Sequence, residues 1–400
     1  MVLLAAFLGW MFDGLEMGVF PLVARPALQS LMGIESDQLV GLWMGRITAL
    51  FLLGAACGGL AFGWLGDRMG RVRAMILSVL AYSLFTGCCY LAVVPWHLGL
   101  FRFLAALGMG GEWSLGVALV MECWPEKRRP LLAGAIGAAS NVGFGLIALV
   151  GMWFHVTRDS WRWVMLAGAA PALLTLFIAR FVPESKRWQQ SVKTGAAHPL
   201  REIFSSRLWK STTLSIAFAS VALIGTWGSV QWLPLWADQL TKGDNPTAKA
   251  ATQILSSAGA ILGCFVGPWI GSRMGRRPAY FLLCLSSLFL CAYLFRCVTQ
   301  YGFVFLLVVG LVGGTTAAFY GWLPLYLPEL FPTRVRATGQ GLSYNFGRIL
   351  AAIGALQMGR LMQYYDGSYA KAGATITLVY VAGLALIWLA PETKGKPLPE

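Results

Sequence analysis

Gly66-Asp67-Arg68-Met69-Gly70-Arg71 is followed about half a chain later by Gly271-Ser272-Arg273-Met274-Gly275-Arg276. Each copy is a short charged stretch between long apolar runs, which puts it at a membrane surface. Trp124-Pro125-Glu126-Lys127-Arg128-Arg129 is echoed by Phe331-Pro332-Thr333-Arg334-Val335-Arg336, and Pro183-Glu184-Ser185 by Pro391-Glu392-Thr393. Three markers that share a shift of roughly 205 to 208 residues predict a duplicated membrane bundle, the plan on which many secondary transporters are built.

Composition agrees. Of the 400 residues 57% are hydrophobic and only 12% charged, with more apolar side chain than a soluble core could hide. A helix needs about 20 apolar residues to cross the hydrocarbon. Such runs occur at 1–24, 39–65, 73–95, 97–123, 131–155, 161–181, 211–236, 250–271, 278–297, 301–327, 338–362 and 372–390. The expected fold class is an all-α membrane protein: twelve transmembrane helices in two pseudo-symmetric six-helix bundles. The first run is not expected to be a signal peptide, because it lacks a basic leader and carries Asp13 and Glu16 in its middle.

The formal net charge of +14 is a topology signal rather than a nucleic-acid footprint. Counting helices from a cytoplasmic start, the even-to-odd connections and the tail hold nineteen of the 31 Lys and Arg. The opposite connections and their helix ends hold only Arg25, Arg158, Arg162, Lys242, Lys249, Arg296, Arg360 and Lys371. The positive-inside bias then predicts that both termini are cytoplasmic. The expected organisation is an N-terminal bundle over 1–183, a cytoplasmic linker over 184–210, a C-terminal bundle over 211–391 and a tail over 392–400. The basic linker is expected to lie along lipid headgroups. The lipid bilayer and a small-molecule substrate are the expected partners, nucleic acid is not, and the chain is expected to act as a monomer.

The eight cysteines show neither metal spacing nor an obvious disulfide pattern, so no metal site is expected and they count as small apolar residues. Only His97, His155 and His198 are available, all near helix ends or in the linker, and no nucleophile-base pair accompanies them. An enzyme is therefore not expected.

Charges inside the spans carry the functional signal. Asp13, Glu16, Arg46, Arg102, Glu112 and Arg348 all fall within apolar runs, and a lone ionised group at the bilayer centre costs at least about 2.5 to 3.5 kcal/mol. Asp13 lies about 18 Å along its helix from Met1, near the midplane, and Arg348 is similarly deep. Asp13 and Glu16 stand three residues apart and share one helix face. Like charges there raise each other's affinity for protons, which suits proton coupling; the alternative is an acid that pairs with a neighbouring arginine as scaffold. Glu112 is a second proton carrier or an indirect partner of Arg102. Arg348 offers a planar fork that matches a carboxylate bidentately, against the alternative of a salt bridge between the two halves. Arg102 and Arg46 enter from the outer side as further substrate candidates.

Trp227, Gln231, Trp232 and Trp236 form a helical stripe interrupted by Pro234, and Tyr320, Trp322 and Pro324 form another. Broken helices beside aromatics mark binding regions in transporters. Gln231, Tyr320, Tyr344 and Asn345 complete the expected contacts, while Trp43, Trp96 and Trp236 are expected at the membrane interface.

The Gly-Asp-Arg-Met-Gly-Arg turn and its second copy, Arg102 with Gly108, Gly110 and Glu112, Pro183-Glu184-Ser185, the run from Leu330 to Gly339 and Pro391-Glu392-Thr393-Lys394-Gly395 resemble the major facilitator superfamily in its sugar-porter and organic-ion branch. Asp13-Gly14, Gly111-Glu112, Glu122-Cys123-Trp124-Pro125 and Tyr344-Asn345 resemble the sialate:proton and organic-acid:proton symporters, although Glu16 stands where those usually carry a second aspartate. Arg348 resembles the helix-eleven arginine of the organic anion transporters. The resemblance implies proton-coupled symport of a small organic anion (a sialic acid, an aromatic acid, a monocarboxylate or a nicotinate-like compound) by alternating access, with protons as the coupling ion and no cofactor. A proton-coupled sugar, organic-cation or drug transporter of the same fold is the alternative, and Arg348 argues against a cation. The resemblance also implies an inner gate made of Asp67, Arg68, Arg71, Glu122, Arg128, Arg273, Arg276, Glu329 and Arg334.

Overall fold

The computed structural model describes residues 1–33, 37–154, 156–193, 198–242, 244–245 and 247–400. His155 and part of the linker lie outside the described residues. Among those described, regular structure is helical throughout. Eleven helical stretches are long and apolar enough to span a membrane: α1 (Val2–Met32), α2 (Leu42–Met69), α3 (Arg71–Leu91), α4 (Pro95–Cys123), α5 (Glu126–Gly151), α6 (Trp161–Phe181), α7 (Trp209–Leu240), α8 (Ala248–Met274), α9 (Arg276–Cys297), α10 (Phe303–Glu329) and α12 (Tyr369–Leu389). The twelfth span, α11 (Arg336–Tyr364), is 29 residues long and more polar, because it carries Gln340, Asn345 and Arg348 in its interior. Helix α1 passes the expected end near residue 24 and continues through Pro21 and Pro26 to Gly33, which closes it at φ 65°. Proline is tolerated there because neighbouring helices satisfy the backbone it frees. Helix α7 does break, at Ser229 ahead of a short turn over Val230–Trp232. Helix α10 runs on through Pro324, contrary to expectation.

The repeated sequence markers have a physical basis. Gly70 and Gly275 sit at φ 105° and 107°, a region that side chains reject, and each ends one helix and starts the next within a single residue. The exposed backbone donors of the next helix are then capped from a distance. Glu184 accepts from the N–H of Arg71 and Val72, both at 3.1 Å. Glu392 accepts from Arg276 and Arg277 at 2.9 and 3.1 Å. Burial alone would raise the Glu392 carboxyl, but these donors, with those of Lys394 and Thr393, hold it below the usual glutamate range. The Pro-Glu-Ser/Thr markers are therefore long-range helix caps. A Cβ at position 70 would overlap Glu184 Oε2 as well as strain the backbone. Gly70→Ala is expected to lower stability by about 1 to 3 kcal/mol, visible as a lower melting temperature, whereas Gly33→Ala, with open space around it, should change melting less.

The two halves meet along α2 against α11 and α5 against α8, with α10 also on α5. Glycine permits the close approach at the first seam, where a Cβ at Gly59 would overlap the Asn345 side chain. The eight cysteines are all free thiols, and Cys264, Cys284 and Cys291 are buried in helix contacts.

Candidate functional site

Two connected chambers lie between the halves. The inner one is walled by α1, α5, α7, α8, α10 and α11 and holds about 800 Å³ of free space, mouth included; Trp10, Asn141, Gln253, Tyr320, Tyr344 and Arg348 are on its lining. The second continues away from the face that carries both termini, between Phe20, Phe51, Arg102, Trp232 and Ala352. Met17, Phe144, Trp227, Gln231 and Arg348 line both, so Arg348 stands at the junction.

Arg348 is only 6% exposed, and among the described residues no carboxylate reaches it. Its guanidinium carbon stacks over Tyr344 and Trp10, 5.1 and 5.7 Å from the ring centroids. Nη1 donates to Asn345 Oδ1 at 3.1 Å. Asn345 is on the expected contact roster, yet it lies behind Arg348 rather than on the cavity wall, since its amide donates to the carbonyls of Gly110 and Gly341 at 2.9 Å each. One side chain thus fixes the guanidinium and ties α11 to α4 two residues before Glu112. Below it, Tyr344 stacks on Trp113 at 4.1 Å, and Trp10 packs on both, which closes the chamber floor across the two halves.

The three intramembrane acids divide into two groups. Glu16 is ion-paired with Arg102 and accepts from Thr86 Oγ1 at 3.0 Å. Arg102 lies between the Phe20 and Phe51 rings. Of the sequence alternatives for Glu16, this is the paired geometry. Asp13 and Glu112 are buried within electrostatic range of each other, and among the described residues no hydrogen-bond partner reaches any of their four carboxyl oxygens. Arg348 is the cation whose field acts most strongly on Asp13. Glu112 thus stands in the field of Asp13, and among the described residues it makes no ion pair with Arg102. Tyr82 is buried within electrostatic range of all three acids.

Toward the face carrying both termini, buried charges lock the halves together. Arg71 donates to Asp67 at 2.7 Å, to Glu122 at 3.1 Å and to the Thr333 carbonyl at 2.6 Å. Asp67 crosses to α11, where it accepts from the Ala337 and Thr338 backbone at 3.2 and 2.8 Å and from the Thr338 hydroxyl at 2.5 Å. Glu122 also pairs with Arg336 across the seam at 2.9 Å. In the second half Arg276 grips Glu329 with two nitrogens, at 2.9 and 2.7 Å. Arg336 and Thr338 belong to this lock although neither is among the expected gate residues; Arg336 closes the repeated run that begins at Phe331.

Other expected positions lie elsewhere. Arg68, Arg128 and Arg273 are exposed and rest on Trp64, Trp124 and Trp269, outside the lock, because the helix face that turns Asp67 inward turns its neighbour out. Arg334 pairs with Glu202 of the linker at 2.7 Å, half-exposed. Arg46 is exposed over Trp43 and does not line the cavity. The cavity face of α2 is Met44, Thr48, Phe51 and Ala55, and a residue two along from Met44 points about 200° away. Trp236 is not at the interface but buried against Phe295 and Phe305. Trp322 packs on Tyr280 and Phe218, away from the chamber. Gln231, Tyr320 and Tyr344 are on the chamber wall, Tyr320 with its hydroxyl bonded to Thr226. Trp43 and Trp96 form an edge-on pair at 5.0 Å.

Comparison with known proteins fits this arrangement. The family model of the Major Facilitator Superfamily matches residues 2–355, and the chain belongs to that superfamily of multi-pass membrane transporters. It is 28% identical to the cis,cis-muconate transport protein of Acinetobacter baylyi, over 90% of this chain and 86% of that one. It is also 28% identical to the sialic acid transporter NanX of Escherichia coli, over 97% and 92% of the two chains. Among solved structures, the proton:xylose symporter XylE superposes with a TM-score of 0.80 at 17% identity over 99% of this chain and 97% of that one, which shows the shared fold.

Proposed function

We propose that the protein carries a small organic anion together with protons by alternating access, with Arg348 as the anion's counter-charge and Asp13 as the principal proton carrier. The observation that carries this reading is a buried guanidinium at the cavity junction that no acid of the described protein contacts. An uncompensated buried cation is costly, so a ligand carboxylate is the natural partner. Asp13 feels the same cation, so the two carboxylates compete for it. A proton on Asp13 removes the competition. Anion and proton then favour each other's binding, which by linkage is symport. Relatives named for muconate and sialic acid support an organic acid as the cargo. The face with both termini is assigned to the cytoplasm from the charge bias, so the closed lock and the opposite mouth describe an outward-open state.

The test is a cycle of ligand and protein. Arg348→Lys keeps the charge but loses the planar fork, and one charged hydrogen bond is worth about 1.5 to 3 kcal/mol. A monocarboxylate is expected to bind the variant about one to two powers of ten more weakly by calorimetric titration, while its neutral amide, a poor ligand from the start, loses little more. Equal losses for acid and amide would make Arg348 scaffold.

A further inference from the structure

We infer that the chamber takes a ligand with a single carboxylate whose far end carries neutral hydrogen-bond donors such as hydroxyls, and that Asn141 and Gln253 recognise those donors. This deepens the organic-anion reading and rests on it.

Among the described residues, Arg348 is the one charged group on the inner chamber lining. The other guanidinium in the cavity, Arg102, is paired with Glu16. A second carboxylate would therefore lie in the chamber without a cation, at the cost of losing its water. The far wall instead presents neutral polar groups from α5, α8 and α10, including Asn141, Gln253, Ser257 and Thr316. The Asn141 amide points at the Gly137 carbonyl (3.5 Å) and Cys264 Sγ (3.8 Å), which turns Oδ1 the other way. Gln253 Nε2 donates to Ser257 Oγ at 3.2 Å, which leaves Oε1 without a donor. No hydrogen bond from the described protein reaches either oxygen. Two amide carbonyls on one wall accept from hydroxyl or N–H groups, so this wall meets a ligand that carries donors better than one that ends in a second carboxylate. A ligand without donors leaves them unpaired as the site dries, so the wall discriminates as well as attracts.

Three probes of one ring size separate these demands: benzoate, 3,4-dihydroxybenzoate and terephthalate, titrated calorimetrically into the purified full-length protein. The dihydroxy acid is expected to bind about ten-fold or more tighter than benzoate, and terephthalate no tighter than benzoate. In the double variant Asn141→Leu, Gln253→Leu, the ratio of benzoate to dihydroxybenzoate dissociation constants is expected to collapse toward one. Terephthalate binding as tightly as the dihydroxy acid, or a ratio unchanged in the double variant, would overturn the inference. The rank order on the native protein holds as a test even if the double variant does not fold. Arg348→Lys tells the two levels apart: if no probe weakens on that variant, or none binds the native protein, the anion reading itself falls. If benzoate and the dihydroxy acid both depend on Arg348 but bind alike, only the donor subsite is wrong.

Discussion

Asp13→Asn is expected to abolish uphill, proton-driven uptake into proteoliposomes while exchange of labelled substrate across the same membrane persists. The amide keeps the shape of the carboxyl and breaks no hydrogen bond, because among the described residues neither Asp13 oxygen has a partner. What it removes is the ability to exchange a proton and to compete with the substrate for Arg348. Anion binding then no longer requires a proton, and the anion can shuttle without one. The measurement is intravesicular pH recorded beside substrate accumulation. If the variant still moves protons in step with substrate, Glu112, the other carboxyl of the unpartnered pair, is the carrier and Asp13 only tunes it.

Glu122→Gln is expected to open the face that carries the termini. Glu122 is the one carboxylate shared by Arg71 and Arg336, with all three side chains buried, and its replacement leaves two guanidinium groups facing a neutral amide. Breaking a buried pair from one side costs about 3 to 5 kcal/mol. Inverting a 1:99 equilibrium takes about 5.5 kcal/mol, so the change is large enough to redistribute the two states. Spin labels at exposed Lys127 and Arg273, in a background whose eight native cysteines are replaced, should report a longer distance in the variant. An unchanged distance distribution, in protein that still binds substrate, would mean that this ion network does not set the state.

The charged part of the site was legible in the sequence because a charge in an apolar run has a cost that demands explanation. Asp13, Glu16, Arg102 and Arg348 stood out for that reason, and the structure sorts them into an ion pair and an open group. Arg46 carried the same signal and went elsewhere, since depth along a helix says nothing about which way the residue faces. Asn141 and Gln253 gave no signal at all: a neutral amide within a span is inexpensive and unremarked, and only the cavity shows that its carbonyl is free. Asn345 reads from the sequence as a possible ligand contact, but its role as a brace for Arg348 depends on the Gly110 carbonyl of α4, 235 positions away in the chain. The duplication fixed the twelve-span plan because its markers are caps and turns, whose geometry tolerates few residues.

The duplication is not symmetric where it matters for motion. Asp67 has Ser272 as its counterpart, and Ser272 donates only to Trp269 within its own helix. The Ala337 and Thr338 donors that Asp67 uses correspond to Pro130 and Leu131, which offer neither the first N–H nor a hydroxyl. Among the described residues no ion pair joins α5 to α8, and that seam is lined by glycine against backbone, as at Gly134 and Cys264. Almost all the electrostatic work of parting the halves therefore falls on one edge of the molecule. The bundle is hung like a door: bolted along α2 and α11, free to turn on a greased post along α5 and α8.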